Sequence, residues 1–274
     1  MTIEFGAKSD QGRVRTNNED SFAVYEKHGL FIVADGMGGH NSGEVASKMA
    51  VDIVGRNFGS LKERKEANED KTQIIYGQSN PAVSEPANQL SSSIKLANQA
   101  IFEASQAYPQ NQGMGTTLVS VLTNGASHII AWVGDSRIYL VRHGQIQQLS
   151  SDHSLVQEQV AKGLITADQA ETSQFKNILT RALGTSESVE VDVAEVPAFD
   201  DDYLLLCSDG LTRMVTDQQL QETVLALKKP QDICDKLVAM ANEAGGRDNV
   251  TLIIIHHKVE SLWDKFMKAV GKAG

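Results

Sequence analysis

Short runs of strand-forming residues, each meeting an aspartate where the run breaks, constrain this chain more than any other feature. LFIVADGMGG reaches Asp35, IIAWVGDSR reaches Asp135, YLLLCSDGL reaches Asp209, and Asp248 of GGRDNVTLIII stands just before the last apolar run. If those runs are neighbouring strands, four carboxylates converge on one rim of a sheet. Converging carboxylates repel one another, so they either hold divalent metal or carry strongly raised pKa values. Asp-Gly is also ordinary strand-ending turn chemistry. That accounts for any one of these positions more easily than for all four.

The donors in this set are all oxygens, and no Cys pair or HExxH-type spacing accompanies them. Hard cations such as Mg2+ or Mn2+ suit such ligands better than zinc or copper. Several acids around one point can hold two ions roughly 3.5–4 Å apart, a recurrent device for attack on phosphate esters. A formal charge of -10 argues against a nucleic-acid partner, which needs clustered Lys and Arg. The two cysteines read as small buried hydrophobes, Cys207 inside LLLCS and Cys234 in an amphipathic pattern. That use of cysteine fits a reducing compartment. The N-terminus lacks a basic and apolar leader, and no run approaches the ~20 apolar residues of a membrane span. The expectation is a cytoplasmic protein and, with 274 residues and no Pro/Gly-rich linker, one large domain.

Strand patterns open the chain at residues 3–7, 21–25 and 30–34. Helical spacing follows at 43–58 through Val45, Met49, Ile53, Val54 and Phe58. Residues 60–85 read as a charged surface loop with a helical start, and 87–107 as a second helix. Alternating runs from Gly115 to Leu149 predict an antiparallel meander, with hairpin turns at Asn124-Gly125 and His143-Gly144. Residues 150–184 turn helical and polar, with Thr166 as an N-cap, and a connection of that length predicts a lid. Strands at 189–196, 202–208 and 250–256 enclose helices at 216–227 and 230–244. Without regular βαβ alternation, this order indicates an α+β layered fold. The final stretch, 259–274, carries Leu262, Trp263, Phe266, Met267 and Val270 on one helical stripe and predicts an amphipathic helix packed on the body, with a partner or membrane surface as the alternative.

The motifs RTNNED, ADGMGGH, GMGTTLVS, VGDSRIY, HSLVQEQV, LTRALG, LLCSDGL and RDNVTLI, in that order from Ser9 to His256, resemble the bacterial branch of the PPM family of metal-dependent protein Ser/Thr phosphatases, the protein phosphatase 2C-like enzymes. The resemblance implies a four-layer α-β-β-α sandwich with two central antiparallel sheets and a flap, the phosphatase domain spanning 1–258 and the flap about 150–184. It implies that Asp35 bridges two Mn2+ or Mg2+ ions with help from the Gly36 carbonyl. Asp209 and Asp248 would complete one ion, and Asp20 would act from behind or through water. Asp135 with Asp209 would hold a weaker third ion. Arg15 matches the family's phosphate-binding arginine, and Asn249 matches a residue that fixes its loop by hydrogen bonding. The implied reaction is in-line attack of a metal-bridging water on phosphoserine or phosphothreonine in proteins, reversing a bacterial Ser/Thr kinase, by a monomer with no phosphoenzyme.

Two departures stand out. Animal members place a His directly after the Asp-Gly as leaving-group acid, whereas here Met37 follows Gly36, and His40 is the nearby candidate. Where bacterial relatives often read HP-R-N, this chain has SQFKN, so the inner face of the flap differs. His153 reads as a helix-start residue that could also contact the flap or substrate. The rival readings are a regulatory phosphoprotein-binding module without turnover, and a two-metal hydrolase acting on nucleic acid or small phosphate esters. A phosphoaspartate enzyme lacks its Asp-x-Asp-x-Thr motif here.

Overall fold

Strands that read as almost unbroken apolar runs need apolar cover on both faces, and two stacked sheets with helices outside them supply it. A computed structural model describes residues 2–38, 42–66 and 76–258. One sheet pairs β1 (Thr2–Asp10), β11 (Val250–Lys258), β10 (Asp202–Cys207), β7 (Arg137–Arg142) and β8 (Gln145–Gln148), in that spatial order. The other pairs β2 (Asp20–Tyr25), β3 (Leu30–Met37), β5 (Leu118–Thr123), β6 (Ser127–Val133) and β9 (Asp192–Pro197), with the two-residue β4 (Gly115–Thr116) beside β3. Every pairing is antiparallel.

Side-chain parity sorts these strands into three apolar layers. From β3, Phe31 and Val33 face the opposite sheet, where they meet Leu204 and Leu206 of β10 and Ile253 and Ile255 of β11. Leu30 and Ile32 face outward instead, onto α1 (Ser42–Glu66) and α2 (Glu85–Ala107). On the far side, Tyr203, Leu205, Leu252 and Ile254 pack beneath α5 (Asp209–Thr212), α6 (Asp217–Leu227) and α7 (Pro230–Glu243). The result is the α-β-β-α sandwich, and it matches the sequence-based expectation.

Some boundaries differ. Helix α1 runs on to Glu66, because LKERKE consists mostly of good helix formers, so the supposed loop begins later than its charge suggested. Ser84 caps α2 by accepting from the Ala87 N–H. The His143-Gly144 turn has φ of 51° and 75°, the two positive values of a type I′ hairpin. The predicted helix at 259–274 and His40 lie outside the described residues. No helix among the described residues is long and apolar enough to cross a membrane.

The connection from β8 to β9 carries two short helices, α3 (Leu155–Ala161) and α4 (Ala167–Glu171), the second started by a full Thr166–Gln169 capping box. Its base is tied down. Leu183 and Thr116 exchange backbone hydrogen bonds of 2.8 and 3.1 Å, and the Thr180 N–H donates to the His153 carbonyl at 2.9 Å. His153 itself is buried, accepting at Nδ1 from the Gly134 N–H (3.0 Å) with Nε2 3.2 Å from Asp192. It therefore anchors the root of this connection at the turn after β6.

Leu205, fully buried in the outer layer beneath the C-terminal helices, tests the packing. Leu205→Ala is expected to cost about 2–5 kcal/mol by urea unfolding, and a loss below about 1 kcal/mol would show that this layer contributes little.

Candidate metal centre

Backbone geometry brings five aspartates to one end of the sandwich. Asp20 opens β2 directly opposite Asp35 of β3 in the ladder. Asp135 follows Gly134 in the tight turn from β6 to β7, Asp209 begins α5 where β10 stops, and Asp248 lies two residues before β11. Since β3 and β6 belong to one sheet and β10 and β11 to the other, the carboxylates meet across the gap between two sheets. The expectation of a single sheet rim is corrected on that point.

Local contacts hold each strand end in place. The Asp35 N–H donates to Thr117 Oγ1 at 3.0 Å, while its carbonyl accepts from the Thr117 N–H and Thr116 Oγ1, both at 2.9 Å. At Gly36 the chain passes so close to the Glu19 and Gly43 carbonyls that any Cβ would collide with them, so the Asp-Gly pair is fixed by sterics as well as by turn preference. Ser208 Oγ donates to Asp20 Oδ2 at 2.7 Å. Asn249 Nδ2 donates to the Gln11 and Asn17 carbonyls at 2.9 Å each, and its Oδ1 accepts from the Glu19 N–H at 2.9 Å. One amide thus pins both ends of the loop that carries Arg15.

The cluster is electrostatically crowded. Burial pushes the Asp35 carboxyl well above the ordinary range, and Asp20, Asp209, Asp135 and Asp248 push it further. Burial and then Asp135 raise Asp209 to about 7 against the pull of Arg213. Asp20 is raised to about 6 by burial, although hydrogen bonds from Ser208 and Thr251 oppose the shift. Asp135 is raised by burial and by Asp152. Two arginines supply counter-charge: Arg15 Nη2 lies 2.9 Å from Asp248 Oδ2, and Arg213 pairs with Asp209 and stands 3.6 Å from Asp248.

The fit to divalent cations follows from this donor set. Burial and crowding push Asp35, Asp20, Asp135 and Asp209 toward their protonated forms, and the repulsion is relieved when hard cations replace the protons. The aspartate oxygens are not gathered tightly around one point. Among the described residues, the one set of three His, Cys, Asp or Glu donors lying within 4.8 Å of one another is His128, Asp202 and His257, elsewhere in the fold. A wider spread suits two ions and intervening water better than one directly caged ion. Beside the cluster a cleft of about 720 Å³ opens, lined by Asp135, Asp209 and Arg213 on the body and by Ser154, Gln157 and Lys176 from the β8–β9 connection.

Several residues around the cluster were not singled out from the sequence. Thr116, Thr117 and Ser208 lie inside motifs already quoted, and for Ser208 its place directly before Asp209 was the available signal. Arg213 stands four residues after Asp209, a spacing that pairs opposite charges on a helix, while its approach to Asp248 comes only from the fold.

The chain matches the protein phosphatase 2C family over residues 11–248. It is 37% identical over 262 residues to the serine/threonine phosphatase stp of Listeria innocua, covering 94% of this chain and 97% of that one. The crystal structure of the Mycobacterium tuberculosis serine/threonine phosphatase PstP/Ppp superposes with a TM-score of 0.79 at 32% identity, covering 94% of this chain and all of that one. A second structure, the catalytic domain of PstP in complex with two manganese ions, gives 0.74 at 32% identity, over 94% and 99% of the two chains.

Asn249→Ala leaves the buried Glu19 N–H without its acceptor and two carbonyls without a donor. It is expected to cost about 1–3 kcal/mol and to speed amide exchange selectively in residues 11–19. Unchanged exchange there would contradict the pinning role.

Proposed function

The chain belongs to the protein phosphatase 2C family, and from that premise we propose that it is a metal-dependent protein serine/threonine phosphatase. The observation that carries the reading is the meeting of Asp20, Asp35, Asp135, Asp209 and Asp248 beside Arg15 at the mouth of a cleft. In this reading Asp35, the Gly36 carbonyl, Asp209 and Asp248 hold two ions, Asp20 supports them from behind, and Asp135 with Asp209 serves a weaker third. When bound, Mn2+ or Mg2+ supplies counter-charge for the phosphate and lowers the pKa of water from ~15.7 toward neutrality.

The chain's own groups do the positioning. Arg15 is half-exposed with one Nη tied to Asp248, which leaves further N–H donors for a forked grip on phosphate oxygens. That grip orients the phosphorus for in-line attack and balances charge as the transition state forms. The Asn249 contacts keep the Arg15 loop rigid, and the Thr116 and Thr117 contacts do the same for Asp35. The β8–β9 connection acts as the flap, and its Lys176 faces the cleft, where a phosphoprotein segment would lie.

The substrates in this reading are phosphoserine and phosphothreonine proteins made by a Ser/Thr kinase of the same cell. The compartment is the cytoplasm, in keeping with two buried, unpaired cysteines.

The test is phosphate release from a phosphothreonine peptide by chelator-treated protein with Mn2+ or Mg2+ restored. Wild type is expected to turn over only with metal. Asp35→Asn is expected to lose more than about a hundredfold, since even groups one contact removed from a metal carry about 10–100-fold. Metal binding without turnover on any phosphopeptide would favour a regulatory binding module instead.

A further inference from the structure

Parity along three strands places three polar side chains in a layer that is otherwise apolar. Ile130 and Trp132 of β6, Leu204 and Leu206 of β10, and Ile253 and Ile255 of β11 all face the space between the sheets. His128, Asp202 and His257 continue those same alternations to the last rung. Asp202 and His257 are direct ladder partners, while His128 reaches toward them from the other sheet. All three side chains are fully buried. Their donor atoms lie within 4.8 Å of one another, with His128 Nε2 at 3.7 Å from Asp202 Oδ2. Asp248, two residues before β11, and His257, near its far end, are nine positions and about 30 Å apart at strand rise.

Three nitrogens in this group make no hydrogen bond: both ring nitrogens of His128, whose Nε2 stands 3.7 Å from Asp202 Oδ2, and Nε2 of His257. A buried polar atom without a partner costs about 1–3 kcal/mol, so three together call for a ligand. His257 is arranged as a ligand would be. Its Nδ1 lies 3.1 Å from the Phe199 carbonyl and donates to it, which fixes the neutral tautomer and leaves the Nε2 lone pair free. Burial also lowers its pKa, favouring the neutral ring.

Asp202 is held equally firmly. Its carboxylate accepts from Arg142 Nε and Nη2, each at 2.7 Å, and from the Phe199 N–H at 2.8 Å. A carboxylate has about four lone-pair positions; Oδ2 uses both of its own on Arg142 Nη2 and the Phe199 N–H, so the one left is on Oδ1. The Arg142 guanidinium stacks 4.4 Å above the Phe199 ring and covers the group on its outer side.

We propose that His128, Asp202 and His257 form a second cation site, distinct from the aspartate cluster, for a zinc-type divalent ion that ties the two sheets together. Two imidazoles and one carboxylate suit Zn2+ rather than Mn2+ or Mg2+. With bonds of about 2.0–2.2 Å, tetrahedral zinc places its ligand atoms roughly 3.4 Å apart. The present spacing reaches that by movements on the order of 1 Å. With three protein ligands the fourth position falls to water, and because all three side chains are fully buried between the sheets the ion would join the sheets rather than meet a substrate.

The test uses the chelator-treated full-length chain with excess Mg2+ to fill the oxygen sites, Zn2+ as probe, and long-range 1H–15N spectra of the histidine rings. One equivalent of Zn2+ is expected to shift ring nitrogens of His128 and His257, assigned through their contacts with buried methyl groups. His257→Gln is expected to weaken Zn2+ binding at least about a hundredfold while metal-dependent phosphate release stays within about twofold. If that variant does not fold, the wild-type spectra decide alone. No response at either ring, or responses confined to other histidines, would mean that trapped water alone serves these nitrogens and would overturn the proposal.

Discussion

Repulsion among five crowded, largely desolvated carboxylates is the constraint on which the working end of this molecule depends. Left alone, such groups separate, turn to solvent or take up protons. Here they cannot separate, because each is fixed at a strand end or on a turn. Asp35 is held by Thr116 and Thr117, Asp20 by Ser208, and the Arg15 loop by Asn249. The three apolar layers keep both sheets in register behind them. The sandwich thus spends packing stability to hold an arrangement that favours cations, and strain of that kind gathers at functional sites.

Much of this was legible in the sequence because strand residues and turn residues have different chemistry. The breaks after LFIVA, IIAWVG and YLLLCS located Asp35, Asp135 and Asp209 without any knowledge of the fold. The layer order came from the resemblance of eight motifs to a known family, and the parity of each strand agrees with it. What could not be read was how two sheets face one another. Their ends, rather than one rim, gather the carboxylates, and Arg213 reaches Asp248 only through the direction of a one-turn helix. The length of α1 was underestimated because LKERKE looks equally at home on a solvated helix or in a charged loop.

The two ends of the sandwich use the same layer differently. At one end the inter-sheet space opens into acids, a cleft and a flap held at its base by His153. At the other it closes on two imidazoles and a carboxylate capped by Arg142 and Phe199. The first arrangement is oxygen-rich, spread out and open to water. The second is nitrogen-rich, tight and fully buried. Donor type and spacing therefore suit different cations at the two ends.

The central claim, that the aspartate cluster is built for cations, is tested most directly by the melting temperature of chelator-treated protein at pH 5 and pH 8, with and without Mn2+. Carboxyls whose pKa is raised on folding bind more protons folded than unfolded, so their contribution to stability falls as pH rises from about 4 toward 7. Mn2+ at 100 times its Kd adds about 2.7 kcal/mol, and protons compete with it at low pH. The account predicts a clear rise in melting temperature with Mn2+ at pH 8 and a much smaller one at pH 5. An equal rise at both values, or none at pH 8, would contradict it.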